Sequence, residues 1–321
     1  MRILFHTAED RLGDALIKLP ALMAARAARP DMHLTWSAGT GNSLYARALA
    51  PLVAGLIDEV HERSGLGTRW GELLKPRWKT SFDVIIASER RLLPTLALKR
   101  LPHQRFIAPM GDFHWSDARP DLDYRALPVA AQTTVLLELA LQAAPLTLPQ
   151  KLDLPADDVA LAQELLPPGA PIVGLSPGAG GKDKCWPREH FAALAREQLA
   201  RGRRVAFFLG PEEAGWQAAL AAAVPGAIFP EHDAPPARQG PLLTMALGRQ
   251  LAAAVANDSG AGHLLAASGC PLIILYGRTN PRKFTPGFGR RHALTAAETS
   301  GQTVADIPFA RVSAAVEQIL G

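Results

Sequence analysis

The apolar residues of this 321-residue chain fall into short unbroken runs, separated by longer stretches with a helical repeat. The runs at 3–6, 33–37, 83–87, 172–175, 205–209, 253–256 and 272–276 are mostly continuous and not alternating. Strands read this way when both faces of a parallel sheet are covered. Between them, stretches rich in Ala, Leu and Arg at 15–28, 188–200 and 212–222 carry helical patterns. The alternation predicts βαβ units and doubly wound parallel sheets, so the fold class is α/β.

The alternation comes in two blocks, one from residue 1 to 109 and one from 171 to 276. Between them lie an irregular piece (110–128) and two helical patterns (131–143 and 156–166). Pro145, Pro149 and Pro155 punctuate the gap and predict a linker near 145–155. The expected domains are therefore 1–150 and 151–321. A last amphipathic pattern at 304–320 reads as a helix that either stays with the second domain or crosses to the first.

Composition narrows the function classes. Hydrophobic residues at 48% and charged residues at 20% are ordinary for a globular chain. Two cysteines, Cys185 and Cys270, build neither a disulfide framework nor a cysteine-rich metal site, and a reducing compartment is expected. The first residues lack the apolar length and cleavage site of a signal peptide. No apolar stretch approaches the roughly 20 residues of a membrane helix. The expected location is the cytoplasm. A net charge of +4 suits an anionic partner such as a nucleotide, a phospholipid surface or a phosphorylated glycan. No dense Lys/Arg stripe is interleaved with aromatics, so nucleic acid is not an expected partner.

Ligands of open α/β sheets bind outside the carboxyl ends of the strands, and four motifs fall there. The first is Asp10-Arg11-Leu12-Gly13-Asp14, after the first strand. Asp14 is either a helix N-cap or a general base facing an acceptor hydroxyl. The second is the loop from Ser176 to Pro187, with Gly178, Gly180, Gly181, Lys182 and Lys184. Its glycines permit close approach of backbone to phosphate and its lysines supply charge. It is neither a Walker A sequence nor a dinucleotide fingerprint. The third is Asn257-Asp258-Ser259-Gly260-Ala261-Gly262-His263, where a strand hands over to a helix. Unpaired amides at the helix start suit a pyrophosphate, and Asp258 suits sugar hydroxyls. The plainer reading is a capped helix with His263 packed inside. The fourth is Gly210-Pro211-Glu212-Glu213, whose carboxylates serve either a ribose or the helix dipole. Thr279 follows the last apolar strand on the same rim, and Arg90, Arg91, Lys99 and Arg100 follow the 83–87 strand, where they either meet an anionic acceptor or form a solvated helix face.

Together these motifs resemble glycosyltransferase family 9, the ADP-heptose:lipopolysaccharide heptosyltransferases. Three stretches carry the likeness: Arg11-Leu12-Gly13-Asp14 with Pro20-Ala21-Leu22, Lys184-Cys185-Trp186-Pro187 after a Ser-Pro-Gly loop, and Asp258 to His263 followed by Pro271 and Gly277-Arg278-Thr279. The resemblance implies a GT-B fold, two Rossmann-like domains with parallel sheets facing a central cleft. It implies inverting transfer without a catalytic metal or cofactor, from a nucleotide-diphosphate sugar, ADP-heptose, to a lipopolysaccharide-core or related acceptor. Asp14 matches the general base. Ser176, Gly178, Lys182, Lys184, Glu212 or Glu213, Asp258, Ser259, Gly260, His263 and Thr279 fall to the donor, and Arg11, Arg90 and Arg91 to an anionic glycolipid or glycan at the inner membrane surface. Two alternatives stay open: a nucleotide-sugar-binding protein without transfer activity, and another GT-B enzyme such as a nucleotide-sugar epimerase.

Overall fold

A computed structural model describes residues 1–181, 184–277, 281, 291–299 and 301–321. The chain forms two compact units, Met1–Pro149 and Gln150–Gly321.

The first unit runs β1 (Arg2–Thr7), α1 (Leu12–Ala28), β2 (His33–Ala38), α2 (Ala50–Val53), β3 (Glu59–His61), β4 (Phe82–Ala87), α3 (Leu92–Lys99), β5 (His103–Ile107) and α4 (Val129–Leu141). Its strands form one parallel sheet in the order β3-β2-β1-β4-β5, with Ile3 level with Leu34 and Val84. Every residue of β1 after Arg2 is buried, which is why this strand reads as an unbroken apolar run. The connection from β3 to β4 has no α-helix. It is an irregular crossover with a single 3₁₀ turn at Trp70–Leu73.

The second unit runs α5 (Ala156–Leu165), β6 (Ile172–Ser176), α6 (Arg188–Ala200), β7 (Arg204–Phe207), α7 (Gln217–Ala223), α8 (Pro230–Asp233), α9 (Pro241–Gly248), β8 (Ala253–Asn257), α10 (Gly260–Ser268), β9 (Leu272–Tyr276), β10 (Arg291–Thr295) and α11 (Phe309–Leu320). Its parallel sheet has the order β10-β9-β8-β6-β7. The connectivities differ. The first unit reverses direction between β1 and β4, as in dinucleotide-binding folds, and the second between β6 and β8, as in flavodoxin-like folds.

All seven apolar runs overlap observed strands. Three further strands, β3, β5 and β10, are at sheet edges. The three residues of β3 are all at least partly exposed, and β5 opens on His103-Gln104-Arg105, so neither carries a continuous apolar run. Two helix expectations need correction. The 212–222 pattern opens as a 3₁₀ segment, Pro211–Trp216, before α7 begins. The 304–320 pattern is a 3₁₀ turn, Val304–Asp306, separated from α11 by Ile307 and Pro308. Helix α11 packs within the second unit: Val312 and Val316 join the cluster of Val173, Val255 and Ile273. Arg203 clamps Glu317 with two hydrogen bonds of 2.6 and 2.8 Å.

Candidate functional site

At the switch point of the first unit, His6 of β1 is level with Ala87 of β4. The loop after β1 carries Arg11 and leads into α1. Arg11 is the N-cap residue, with extended backbone and no side-chain cap. Asp14 is therefore the third residue of the helix, and the reading of it as an N-cap is corrected. It is half-buried, its carboxylate makes no hydrogen bond among the described residues, and the first helical turn favours a negative charge.

A buried network stands behind this loop. The Asp10 carboxylate accepts from Lys18 Nζ (2.7 Å), Trp36 Nε1 (2.6 Å) and Ser43 Oγ (2.9 Å). The Asp10 side chain is wholly buried and that of Lys18 is 9% exposed. The Lys18 ammonium also sits 5.4 Å from the centre of the Trp36 ring. Tyr45 donates to the carbonyl of Ala15 at 2.6 Å. Burial, reinforced by the charges of Asp10 and Asp14, pushes the Tyr45 phenol well above its ordinary value. The sequence reading gave Asp10 and Lys18 no role. The signal available was a lysine within the apolar stretch of α1.

The basic side chains divide. Arg11 is exposed and held to Glu9 at 2.8 Å. Arg90 is exposed, bonds Gln132 at 3.2 Å and lies over Tyr124. Arg91 is the exposed N-cap residue of α3, 3.4 Å from Glu89. Burial raises the Glu89 carboxyl, but bonding to buried His6 and the neighbouring charges outweigh it and hold it below the usual range. Lys99 and Arg100 stand at the other end of α3, a helix of eight residues and so about 12 Å long. Lys99 donates to the Trp115 carbonyl and Arg100 to that of Leu73, so both are tied to backbone at the end of α3 away from Arg90 and Arg91.

In the second unit the switch point is between β6 and β8, where Ser176 is level with Ala256. Ser176 is buried, and its hydroxyl has no hydrogen-bond partner among the described residues. Asn257 closes β8 and ties the two loops together. Its amide donates to the Pro177 carbonyl (2.8 Å) and its oxygen accepts from the Trp186 amide (3.0 Å). Trp186 is itself buried, and its indole donates to the Ile307 carbonyl at 2.8 Å. Lys184 is exposed and two residues from that bond, within about 7 Å of chain reach. Lys182 and Thr279 lie outside the described residues.

Beyond Asn257, the half-buried Asp258 precedes Ser259, the N-cap of α10, whose hydroxyl accepts from the Gly262 amide at 3.2 Å. The amides of Gly260 and Ala261 are among the first of the helix, which the helix itself cannot pair. A Cβ at Gly262 would come within 2.7 Å of the Asn257 carbonyl, so glycine lets α10 start this close to the strand. His263 is only partly buried, not the enclosed packing residue of the plainer reading.

The two glutamates after β7 separate clearly. Glu212 is exposed, whereas Glu213 is 8% exposed and lies against Gly178 and Gly210, where a Cβ would collide with its carboxyl. Burial, with the Glu212 charge, pushes the Glu213 carboxyl up against the opposing pull of the amides of Gly210 and Glu213. Glu213 thus borders the loop that starts at Ser176. The second unit brings Ser176, Gly178, Glu213, Lys184, Asp258, Ser259 and Gly260 to one rim. Among the described residues no group of His, Cys, Asp and Glu is arranged to hold a metal.

A family model described as glycosyltransferase family 9 (heptosyltransferase) matches residues 121–305. Lipopolysaccharide heptosyltransferase 1 of Pseudomonas aeruginosa is 31% identical, over 90% of this chain and 82% of that one. A solved family 9 glycosyltransferase from Veillonella parvula superposes with a TM-score of 0.75 at 20% identity, covering 99% of this chain and 97% of its own. An E. coli heptosyltransferase solved with ADP-2-deoxy-2-fluoro heptose gives a TM-score of 0.66 at 17% identity, over 99% of each chain.

Proposed function

The chain belongs to glycosyltransferase family 9, the heptosyltransferases, with the GT-B fold, and from that premise we propose that it transfers heptose from ADP-heptose to an anionic glycolipid of the lipopolysaccharide-core type. One observation carries the donor half. At the β6/β8 switch point a glycine-turned loop and the start of α10 are locked side by side by Asn257. Such an arrangement suits a pyrophosphate, with amide groups and a helix dipole pointing at its charge.

In this reading the amides of Gly260 and Ala261, the hydroxyls of Ser176 and Ser259, and Lys184 receive the diphosphate. Lys182 and Thr279 belong to the same set. Glu213, the buried one of the pair, is nearest the loop and takes the ribose, with Glu212 outside. Asp258 and His263 face the sugar. As the bond to the leaving diphosphate breaks, the anomeric carbon becomes oxocarbenium-like and preorganised donors take up the charge on the leaving oxygen. Asp14 draws the proton from the attacking hydroxyl on the opposite face, so the configuration inverts. No step calls on a metal. Arg11, Arg90 and Arg91 meet the acceptor's anionic groups, and a lipid acceptor brings the enzyme to a membrane surface as a peripheral protein.

The test is product analysis with ADP-heptose and a heptose-deficient core glycolipid. The expected outcome is a glycolipid heavier by one heptose, with the anomeric centre inverted, together with ADP. Conversion of the donor without acceptor would mark an epimerase, and tight donor binding with no product a binding protein. Lys184→Ala is expected to weaken donor binding with the fold intact, and undiminished affinity would remove it from the site.

A further inference from the structure

The crossover between β3 and β4 takes the place of a helix, and its two sides are built differently. Leu66 and Trp78 pack into the cluster of Leu4, Phe82, Ile85 and Leu98. Glu72 turns inward and accepts from the amides of Gly67, Thr68 and Arg69 at 2.9–3.0 Å. Arg100 donates to the Leu73 carbonyl at 3.0 Å, which pins the 3₁₀ turn against α3. The inner side is thus fixed by burial and by Glu72.

The outer side carries Arg69, Trp70, Leu74, Lys75, Arg77 and Lys79, all exposed. Trp70 is 63% exposed and Leu74 89%, the two most exposed large apolar side chains described. Four exposed cations therefore accompany two exposed apolar side chains within eleven residues, and no exposed carboxylate lies between 69 and 79. Two side chains are too little for a stable protein interface, which needs roughly 800 Å² from each partner. They do suit a bilayer surface, where tryptophan settles at headgroup level and basic side chains gain from anionic lipid.

We propose that residues 69–79 form a docking platform for an anionic phospholipid surface, with Trp70 and Leu74 entering the headgroup layer and Arg69, Lys75, Arg77 and Lys79 pairing with lipid phosphates. This deepens the reading of a glycolipid acceptor, because it names the surface that meets the acceptor's membrane. Its test requires no transfer.

The whole chain is sedimented with phosphatidylcholine vesicles and with vesicles that also contain phosphatidylglycerol. Binding is expected only to the anionic vesicles and weakens as salt screens the cations. Each basic side chain near such a surface is worth about fivefold in binding. Lys75→Glu with Lys79→Glu is therefore expected to lower binding at least about 20-fold. Trp70→Ser with Leu74→Ser should abolish stable binding and remove the quenching of tryptophan fluorescence by brominated lipid. Melting temperature and ADP affinity are measured on every variant and are expected to match the parent, which separates platform loss from unfolding. Equal sedimentation of parent and variants, or equal binding to neutral vesicles, overturns the proposal. Self-association that disappears in the Trp70/Leu74 variant, without vesicle binding, also overturns it and gives the surface to a second copy. If the platform fails while donor binding and transfer persist, the enzymatic reading stands without it; vesicle binding without transfer leaves the platform standing alone.

Discussion

Behind the rim of the first unit lies a buried ion pair, Asp10 with Lys18; behind the rim of the second lies a neutral amide, Asn257. Both tie a strand end to its neighbours, but they support different kinds of chemistry. In the proposed reaction the first unit offers a side chain, the Asp14 carboxylate, whose usefulness depends on aim. The second offers backbone, the amides around Gly178 and Gly260, whose usefulness depends on close approach. Charge holds the loop in the first. In the second, glycines and one neutral, bifunctional amide hold the loops.

The largest expected effect breaks the comparison at the base. Asp14→Asn keeps the shape of the helix start but cannot accept a proton, and losing a positioned base costs about 10²–10⁴-fold in turnover. The fall is expected in kcat, with the donor KM little changed because the donor groups lie in the other unit. Turnover near the parent value would remove Asp14 from that role.

Next comes the network behind it. Asp10→Asn leaves the Lys18 ammonium buried without its anion, and breaking one partner of a buried pair costs about 3–5 kcal/mol. Removing both charges, Asp10→Asn with Lys18→Met, should return part of that stability, since no buried ion is left unpaired and the Asn oxygen can still accept from Trp36 and Ser43. Denaturant unfolding of the single and double variants measures the coupling directly. Additive losses would mean that the pair is not a unit.

The second unit has its own buried charge problem, away from the proposed donor contacts. Glu231 of α8 is bonded to Thr244 and to the Leu209 amide, and burial pushes its carboxyl to about 7 from 4.5. The folded state therefore holds the proton more tightly than the unfolded one. Its contribution is complete below the unfolded value, declines as pH rises from about 4.5 to 7, and is absent above. A shift of this size corresponds to about 3 kcal/mol. Glu231→Gln should gain on the parent by that amount between pH 4 and pH 8, in the second unit's unfolding transition. A constant difference between the two proteins across that range would contradict the assignment.

Particular residues show what the sequence could reveal. The β1 and β8 runs were legible because their burial is nearly uniform, and uniform burial leaves an uninterrupted apolar string. β3 and β5 were not, because at their sheet edges most of their residues are left partly exposed, whereas β7, also at an edge, stays buried after Arg204 and was legible. Ser259 at a helix start was readable from capping chemistry, and Ser259 is the cap. Glu212 and Glu213 could not be told apart in sequence, because both follow the same strand and only burial against Gly178 separates them. Asn257 was visible as a polar residue ending an apolar strand, but its partners Pro177 and Trp186 are 80 and 71 residues away and no local pattern connects them. Asp10 and Lys18 were hidden for a related reason. Charges eight residues apart read as solvated until Trp36 and Ser43, brought from the next strand and loop, enclose them.

Asn257 gives the smallest effect and the sharpest contrast. Asn257→Ala removes two buried hydrogen bonds and leaves the Trp186 amide and the Pro177 carbonyl to find other partners, at a cost of about 2 kcal/mol. Asn257→Asp costs at least as much. At this fully buried position its carboxylate still accepts from the Trp186 amide but turns an unpaired oxygen toward the Pro177 carbonyl, so the loop near Ser176 loosens. If the second unit works by holding two loops close, both variants raise the donor KM and leave kcat near the parent value. Asn257→Asp should do so more strongly than its stability loss suggests, because it also sets a negative charge beside the diphosphate. A fall in kcat with an unchanged donor KM would mean that Asn257 acts on the reacting centre and not on the backbone around the donor, and the division between an aimed side chain and a positioned backbone would not hold.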